Sequence, residues 1–267
     1  MAVTRETNCI ETGWGRIGCS LRGLGGTPLL FLHGVGSDRS VWDAQLAAFG
    51  QERMAVAIDM PGYGDSEDGA RVGDVRTDFA RAALAVLDAL HIDQAHVCGL
   101  SLGGVIALTL YGLAPTRVAS LVLADSFARH PDGVAIHERS LAGAAELGMA
   151  GLAGKRAEAL LALPADAGVR QQVIETMSRI DPASYARACE AVWLADQRPE
   201  AAAVTCPALI VYGSEDRITP PALSEELKEL IPHAGLIEIA AAGHLPNLEQ
   251  PTIFNRVLAG FLAGVEG

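Results

Sequence analysis

The sequence predicts a mostly parallel β-sheet covered by helices, and three observations predict it. Short apolar runs rich in Val, Ile and Leu recur along the chain. Segments with apolar residues every three or four positions separate them, and turn residues close most of the runs. Strands that alternate with helices need crossover connections, which pair the strands in parallel. Half of the 267 residues are hydrophobic, enough for the core of one large domain or two small ones.

The first element is the exception to the alternation. TGWGRIGCSLRG, residues 12–23, reads as an edge hairpin. It contains GWGRIG, Gly13 to Gly18, which matches the dinucleotide pattern G-x-G-x-x-G. That fingerprint works only where a buried strand enters it and a helix opens from it. Here CSLRGLGGTP follows, a poor helix, so a glycine-rich hairpin turn is the better reading.

The sheet proper begins with PLLFLHG, Pro28 to Gly34, followed by MAVAIDM and a turn built on Pro61, Gly62 and Gly64. From Asp74 to His91, Val75, Phe79, Ala82, Val86 and Leu90 recur at helical spacing and mark one apolar face. AHVCGL and VASLVLAD are buried strands on either side of a Leu102–Leu113 helix. PALIVYG and GLIEIA add two more strands, with helices at Ala222–Leu230 and Thr252–Leu262. Between residues 126 and 204 no β-branched run occurs. Ala, Leu, Arg and Glu dominate there, and Tyr185, Ala188, Val192 and Ala195 share one helical face. The expected organisation is a core of 1–125 and 205–267 with a helical insertion over 126–204. Long insertions at the carboxyl ends of parallel strands commonly cover a site.

Composition narrows the function classes. Acidic residues number 32 against 20 basic, a formal charge of −12 that repels phosphate backbones and anionic membranes. Neither nucleic acid nor a membrane is therefore expected as a partner. The amino-terminal residues hold no apolar leader, and no stretch of eighteen apolar residues occurs. Cys9, Cys19, Cys98, Cys189 and Cys206 are scattered without a C-x-x-C pair, which argues against a zinc site or redox motif. Reduced thiols in a cytoplasmic protein are the expectation. Oligomeric state stays open.

One hydroxyl interrupts the apolar run HVCGLSLGGVIAL. Its segment GLSLG is G-x-S-x-G between a buried strand and an apolar helix, the context of a nucleophile elbow. Ser101 then takes a strained turn, Gly99 and Gly103 let strand and helix approach, and the Leu102 amide points at an oxyanion formed at the serine. A serine needs a base, and the base needs a third group to orient it. Asp216 follows PALIVYG and His244 follows GLIEIA, so both sit past strand ends on the edge that carries Ser101. Glu215 and Asp125 compete with Asp216 for the acid role. His244 is preferred over the other six histidines, which lie at a helix end, at a strand start, before a strand, in the helical insertion or, for His33, beside the first core strand. HGVG follows that strand and resembles the oxyanion loop of α/β hydrolases, which implies the Val35 amide as a second oxyanion donor; His33 then braces the loop or lines the substrate pocket.

These landmarks, HGVG, DMPGYGDS, GLSLGG, GSEDRITP and AAGHLPNLEQP in that order, resemble the α/β-hydrolase superfamily over about residues 28 to 262. The resemblance implies an α/β-hydrolase fold with a helical cap and a serine hydrolase without metal or organic cofactor. YARACEAVWLADQR and GHLPNLEQP are similar to 3-oxoadipate enol-lactonases, which implies a small ester or lactone substrate, with an enol-lactone of aromatic catabolism as the sharpest form. Such a substrate carries a carboxylate, so an arginine is expected at the pocket. Arg129, Arg139, Arg187 and Arg198 are candidates, with Trp193 and Trp42 as possible apolar walls. Asp at position 101 would mark a haloalkane dehalogenase, and Ser stands there. Two alternatives stay open: a carbon–carbon bond hydrolase of meta-cleavage products, where Leu245 replaces the usual Trp, and a non-catalytic receptor of the same fold.

Overall fold

The computed structural model describes residues 6–69 and 71–267. The amino-terminal hairpin pairs β1 (Glu6–Thr12) antiparallel with β2 (Gly15–Arg22). Thr12 closes its turn, accepting from the Trp14 N–H and donating to the Gly15 carbonyl. GWGRIG is thus the hairpin turn at Gly13 and Trp14 and the start of β2, with no helix opening from it.

The chain then runs through β3 (Leu29–Leu32), α1 (Asp43–Phe49), β4 (Ala55–Ile58), α2 (Val75–Ala89), β5 (Ala95–Leu100), α3 (Leu102–Leu113) and β6 (Val118–Ala124). Helices α4 (Gly133–Leu160), α5 (Ala167–Ser178), α6 (Pro182–Trp193) and α7 (Arg198–Ala202) follow before the next strand. The chain closes with β7 (Ala208–Gly213), α8 (Pro221–Leu230), β8 (Gly235–Ile239), α9 (Pro246–Glu249) and α10 (Pro251–Glu266). Strand order is β1-β2-β4-β3-β5-β6-β7-β8, with every pair from β4 to β8 parallel.

Local chemistry sets these boundaries. Asp74 caps α2, its carboxylate accepting from the Thr77 N–H. β3, β4 and β5 are buried along their whole length, which is why they read as continuous apolar runs rather than alternating ones. β8 is different: it is an edge strand, mostly exposed, with Ile239 its one buried residue. Two apolar layers sandwich the sheet. One gathers α2 and α3 with Phe79, Val86 and Ile106; the other gathers α1 and α10 with Trp42, Phe254 and Leu258. Trp42 stacks on Phe31 at 4.8 Å inside the second layer. It is core, and its candidacy as a pocket wall fails.

Two features of the helical segment were not legible in the pattern. Gly148 adopts φ 62 and breaks α4 in the middle, where a left-handed conformation suits glycine. Gln197 is buried and its side-chain amide donates to the Val105 carbonyl and the Thr109 hydroxyl, tying the segment down onto α3. Among the described residues no helix is long and apolar enough to cross a membrane.

Candidate active site

β5 delivers the chain into Ser101, and α3 starts one residue later. Ser101 has φ 54 and ψ −114, a conformation costing a non-glycine residue about 1–3 kcal/mol. Hydrogen bonds hold it there: its N–H donates to the Ala124 carbonyl at 2.8 Å, and the Ser126 hydroxyl donates to its carbonyl at 2.9 Å. The glycines around it are sterically required. A Cβ on Gly99 would overlap the Gly103 backbone, and one on Gly103 would overlap the Leu32 carbonyl.

Two backbone donors flank the serine. Among the described residues, no group accepts a hydrogen bond from the N–H of Val35 or of Leu102. Leu102 is the first residue of α3, where unsatisfied amides and the helix dipole favour negative charge. Val35 is held from below. His33 is fully buried; its Nε2 accepts from the Met60 N–H at 2.9 Å, so Nδ1 carries the proton and donates to the Gly34 carbonyl at 2.8 Å. Tyr63 completes the brace by donating its hydroxyl to the Val35 carbonyl. Burial lowers the His33 pKa against the opposing pull of Asp59, which keeps the ring neutral in this role. His33 therefore braces the loop and does not line the pocket, so that candidacy is withdrawn.

Asp216 and His244 meet over β7 and β8. The Asp216 Oδ1 accepts from the Ile218 and Thr219 N–H groups at 2.7 and 3.0 Å. Its Oδ2 accepts from the Thr219 hydroxyl at 2.5 Å and from the His244 Nδ1–H at 2.8 Å. Burial pushes the Asp216 pKa up, but His244, Thr219 and Asp125 together hold it down at about 2. The His244 loop is pinned to the end of α4. His244 N–H donates to the Leu160 carbonyl at 2.7 Å, and Glu249 accepts from the N–H groups of Gly243 and Ala162. Neither Thr219 nor Glu249 was singled out from sequence. The i, i+3 spacing of Asp216 and Thr219, the geometry of an Asx-type turn, is the signal that could have found Thr219.

Among the described residues, neither competing acid receives the His244 Nδ1–H, which goes to Asp216. Glu215 is exposed and accepts from the Leu163 N–H. Asp125 is fully buried beside the pair, its Oδ1 accepting from the Gly213 N–H at 2.9 Å. The polar atoms of Asp125, Asp216 and His244 lie within 4.8 Å of one another. A cation does not suit this group, because His244 Nδ1 carries the proton it donates to Asp216 and offers no lone pair there.

Ser101, His244 and Val35 open into one pocket, with Arg156 from α4, Met177 from α5, and Tyr185 and Trp193 from α6 on the opposite wall. Of the residues expected to touch substrate, only Trp193 is there. It stacks on Phe127 and meets the edge of His130. Arg129 is exposed, bridges Asp196 through its backbone and lies outside the pocket, so that expectation is overturned. Arg187 pairs with Asp68 over the Phe79 ring, and Arg198 pairs with Asp196. Arg139 lines a neighbouring cleft with Lys155 and Arg217, and that cleft shares Arg156 and Trp193 with the pocket.

The arginine that faces the pocket is Arg156. It is half-buried, and no carboxylate among the described residues forms an ion pair with it. A sequence signal for it existed. Leu152, Arg156 and Leu160 follow one another at i+4 steps, so a cation interrupts the buried stripe of a helix.

The chain is similar to several known proteins. It is 34% identical over 250 residues to the dihydrolipoyllysine-residue acetyltransferase component of the acetoin cleaving system of Pseudomonas putida, covering 91% of this chain and 65% of that relative, less than two thirds of its length. It is 30% identical over 241 residues to 3-oxoadipate enol-lactonase 1 of Acinetobacter baylyi, covering 89% of each. A thermophilic esterase from Thermogutta terrifontis, solved with malate bound, superposes with a TM-score of 0.87 at 25% identity, over 98% of this chain and 100% of that one. The family model described as "Alpha/beta hydrolase family" matches residues 29–257. With the elbow, the strand-end acid and histidine, and this match in hand, the chain belongs to the alpha/beta hydrolase family.

Proposed function

We propose that the protein hydrolyses a carboxylic ester or lactone of a small molecule through an acyl-enzyme on Ser101. The observation that carries the reading is the convergence of a strained serine, a carboxylate-held histidine and two unsatisfied amides on one pocket. Ser101 Oγ attacks the carbonyl carbon while His244 Nε2 takes its proton. Asp216 keeps Nδ1 protonated, which leaves Nε2 free as the base and stabilises the imidazolium that forms. The carbonyl oxygen becomes an oxyanion between the Val35 and Leu102 amides, a site preorganised before the charge appears. His244 then hands the proton to the departing oxygen. Water, deprotonated by the same ring, attacks the acyl carbon and releases the acid and Ser101.

Substrate preference comes from the opposite wall, where the helical segment after β6 acts as a cap. An unpaired, half-buried guanidinium facing Ser101 and His244 fits a substrate that carries a carboxylate. Support for a carboxylated lactone comes from the name of the Acinetobacter enol-lactonase and from the malate in the Thermogutta esterase. A panel of p-nitrophenyl acetate, neutral lactones, carboxylated enol-lactones and ring-cleavage dienoates tests the reading. The expected order is carboxylated lactone first, simple esters second. Turnover confined to dienoates would replace it with carbon–carbon bond hydrolysis, and no turnover of any ester or lactone would favour a ligand receptor.

A further inference from the structure

Behind the Asp216–His244 pair stands a second carboxyl that the mechanism leaves unused. Asp125 is the first residue past β6 and is 0% exposed, at φ 43. Its backbone is fixed to the neighbouring strand: its N–H donates to the Val211 carbonyl at 2.8 Å. The side chain uses Oδ1 to accept from the Gly213 N–H, while Oδ2 is buried and receives no donor. As a carboxylate, Asp125 would be a buried anion with an unsatisfied oxygen beside another buried anion, and two adjacent carboxylates do not both ionise. As a carboxylic acid it satisfies both groups, because the Oδ2 proton becomes a donor and the Asp216 carboxylate lies beside it, within 4.8 Å and in side-chain hydrogen-bond contact.

We propose that Asp125 is kept protonated and donates its O–H to the Asp216 carboxylate, serving as a positioning residue that sets how strongly Asp216 pulls on His244. The proposal rests on the triad reading for its catalytic consequence only. Burial and then the Asp216 charge push the Asp125 pKa well above the usual carboxylate range, against the Gly213 N–H. The hydrogen bond from Asp125 is in turn one of the contacts that hold Asp216 low. Of the other charged groups packed round the pair, Glu249 is committed to backbone N–H groups, Arg156 lines the pocket beyond His244, and Glu215 and Arg217 flank Asp216 on the exposed side. A donor on Asp216 disperses its negative charge and so weakens its pull on the His244 Nδ1–H.

Asparagine isolates the claim. It tolerates φ 43, keeps a carbonyl for the Gly213 N–H, and replaces the O–H donor by an N–H donor. The infrared difference between wild type and Asp125→Asn at pH 7 should contain the C=O stretch of one protonated carboxyl. A carboxylate band in its place overturns the proposal. Stability gives a second reading. Unfolded Asp125 ionises above about pH 3.9 while the folded residue keeps its proton. Its contribution is therefore full below that pH and is lost as pH rises towards the folded pKa. Asp125→Asn removes this loss, so its melting temperature should gain on wild type between pH 4 and pH 8; a constant gap contradicts the proposal.

Activity gives the third reading. Asp125→Gly suits the backbone but has no donor, and the acid limb of its kcat/KM profile should move up by roughly half to one pH unit. The Asn variant should keep that limb in place and retain kcat within roughly threefold. A collapse of Asp125→Asn, or an unmoved limb in Asp125→Gly, sinks the idea. If Asp125→Gly does not fold, the spectroscopic and melting readings still decide. A wild type without hydrolase activity would remove the triad reading and leave the infrared band untouched.

Discussion

The two walls of the pocket are built by different means. On the sheet side, Ser101, Asp216 and His244 each follow a strand by a few residues, and backbone hydrogen bonds and glycine contacts fix the geometry. On the helical side, Arg156, Met177, Tyr185 and Trp193 come from three helices whose positions depend on packing. The first wall carries groups that any ester needs. The second carries groups that only some substrates meet. On the proposed mechanism, chemistry and selectivity fall to separate parts of the chain.

Substitutions on the two walls should therefore differ in kind. Asp216→Asn, on the sheet side, should lower kcat by roughly 10³–10⁴ for every substrate alike, because the amide fails to hold His244 in the required tautomer. Steady-state kinetics with one neutral and one anionic ester checks this, and a loss confined to one of them would break the comparison. Arg156→Gln, on the helical side, should raise KM for a carboxylated substrate roughly 10–100-fold more than for its neutral analogue, the worth of one charge-assisted hydrogen bond. Equal effects on both substrates would show that Arg156 serves packing instead.

The same division governs how much could be read from the sequence. Ser101, Asp216 and His244 were legible because each is tied to a strand end, and a strand is a local pattern of apolar residues. Gly99 and Gly103 were legible because close approach leaves no room for a Cβ. The parallel sheet, the leading hairpin and helices such as α2 follow from periodicity and caps. The helical wall was not legible in this way. Arg129 stands in an isolated bridge before α4, whereas Arg156 sits within α4 and lines the pocket only once that helix has packed against its neighbours. The i+4 steps of Leu152, Arg156 and Leu160 hint at this, but the wall that Arg156 joins forms only in the tertiary structure. Asp125 was legible as a strand-end acid, whereas its role beside Asp216 depends on burial and on the Gly213 N–H, both tertiary facts.

The central claim is that Ser101 is the nucleophile. Treatment with a fluorophosphonate, followed by digestion and mass spectrometry, tests it most directly, since only a serine activated by its base reacts rapidly with such a probe. The account predicts one phosphonyl adduct on the peptide containing Ser101, absent in Ser101→Ala and slowed by several orders of magnitude in His244→Ala. Stoichiometric labelling of any other residue, or unchanged labelling in Ser101→Ala, would contradict it.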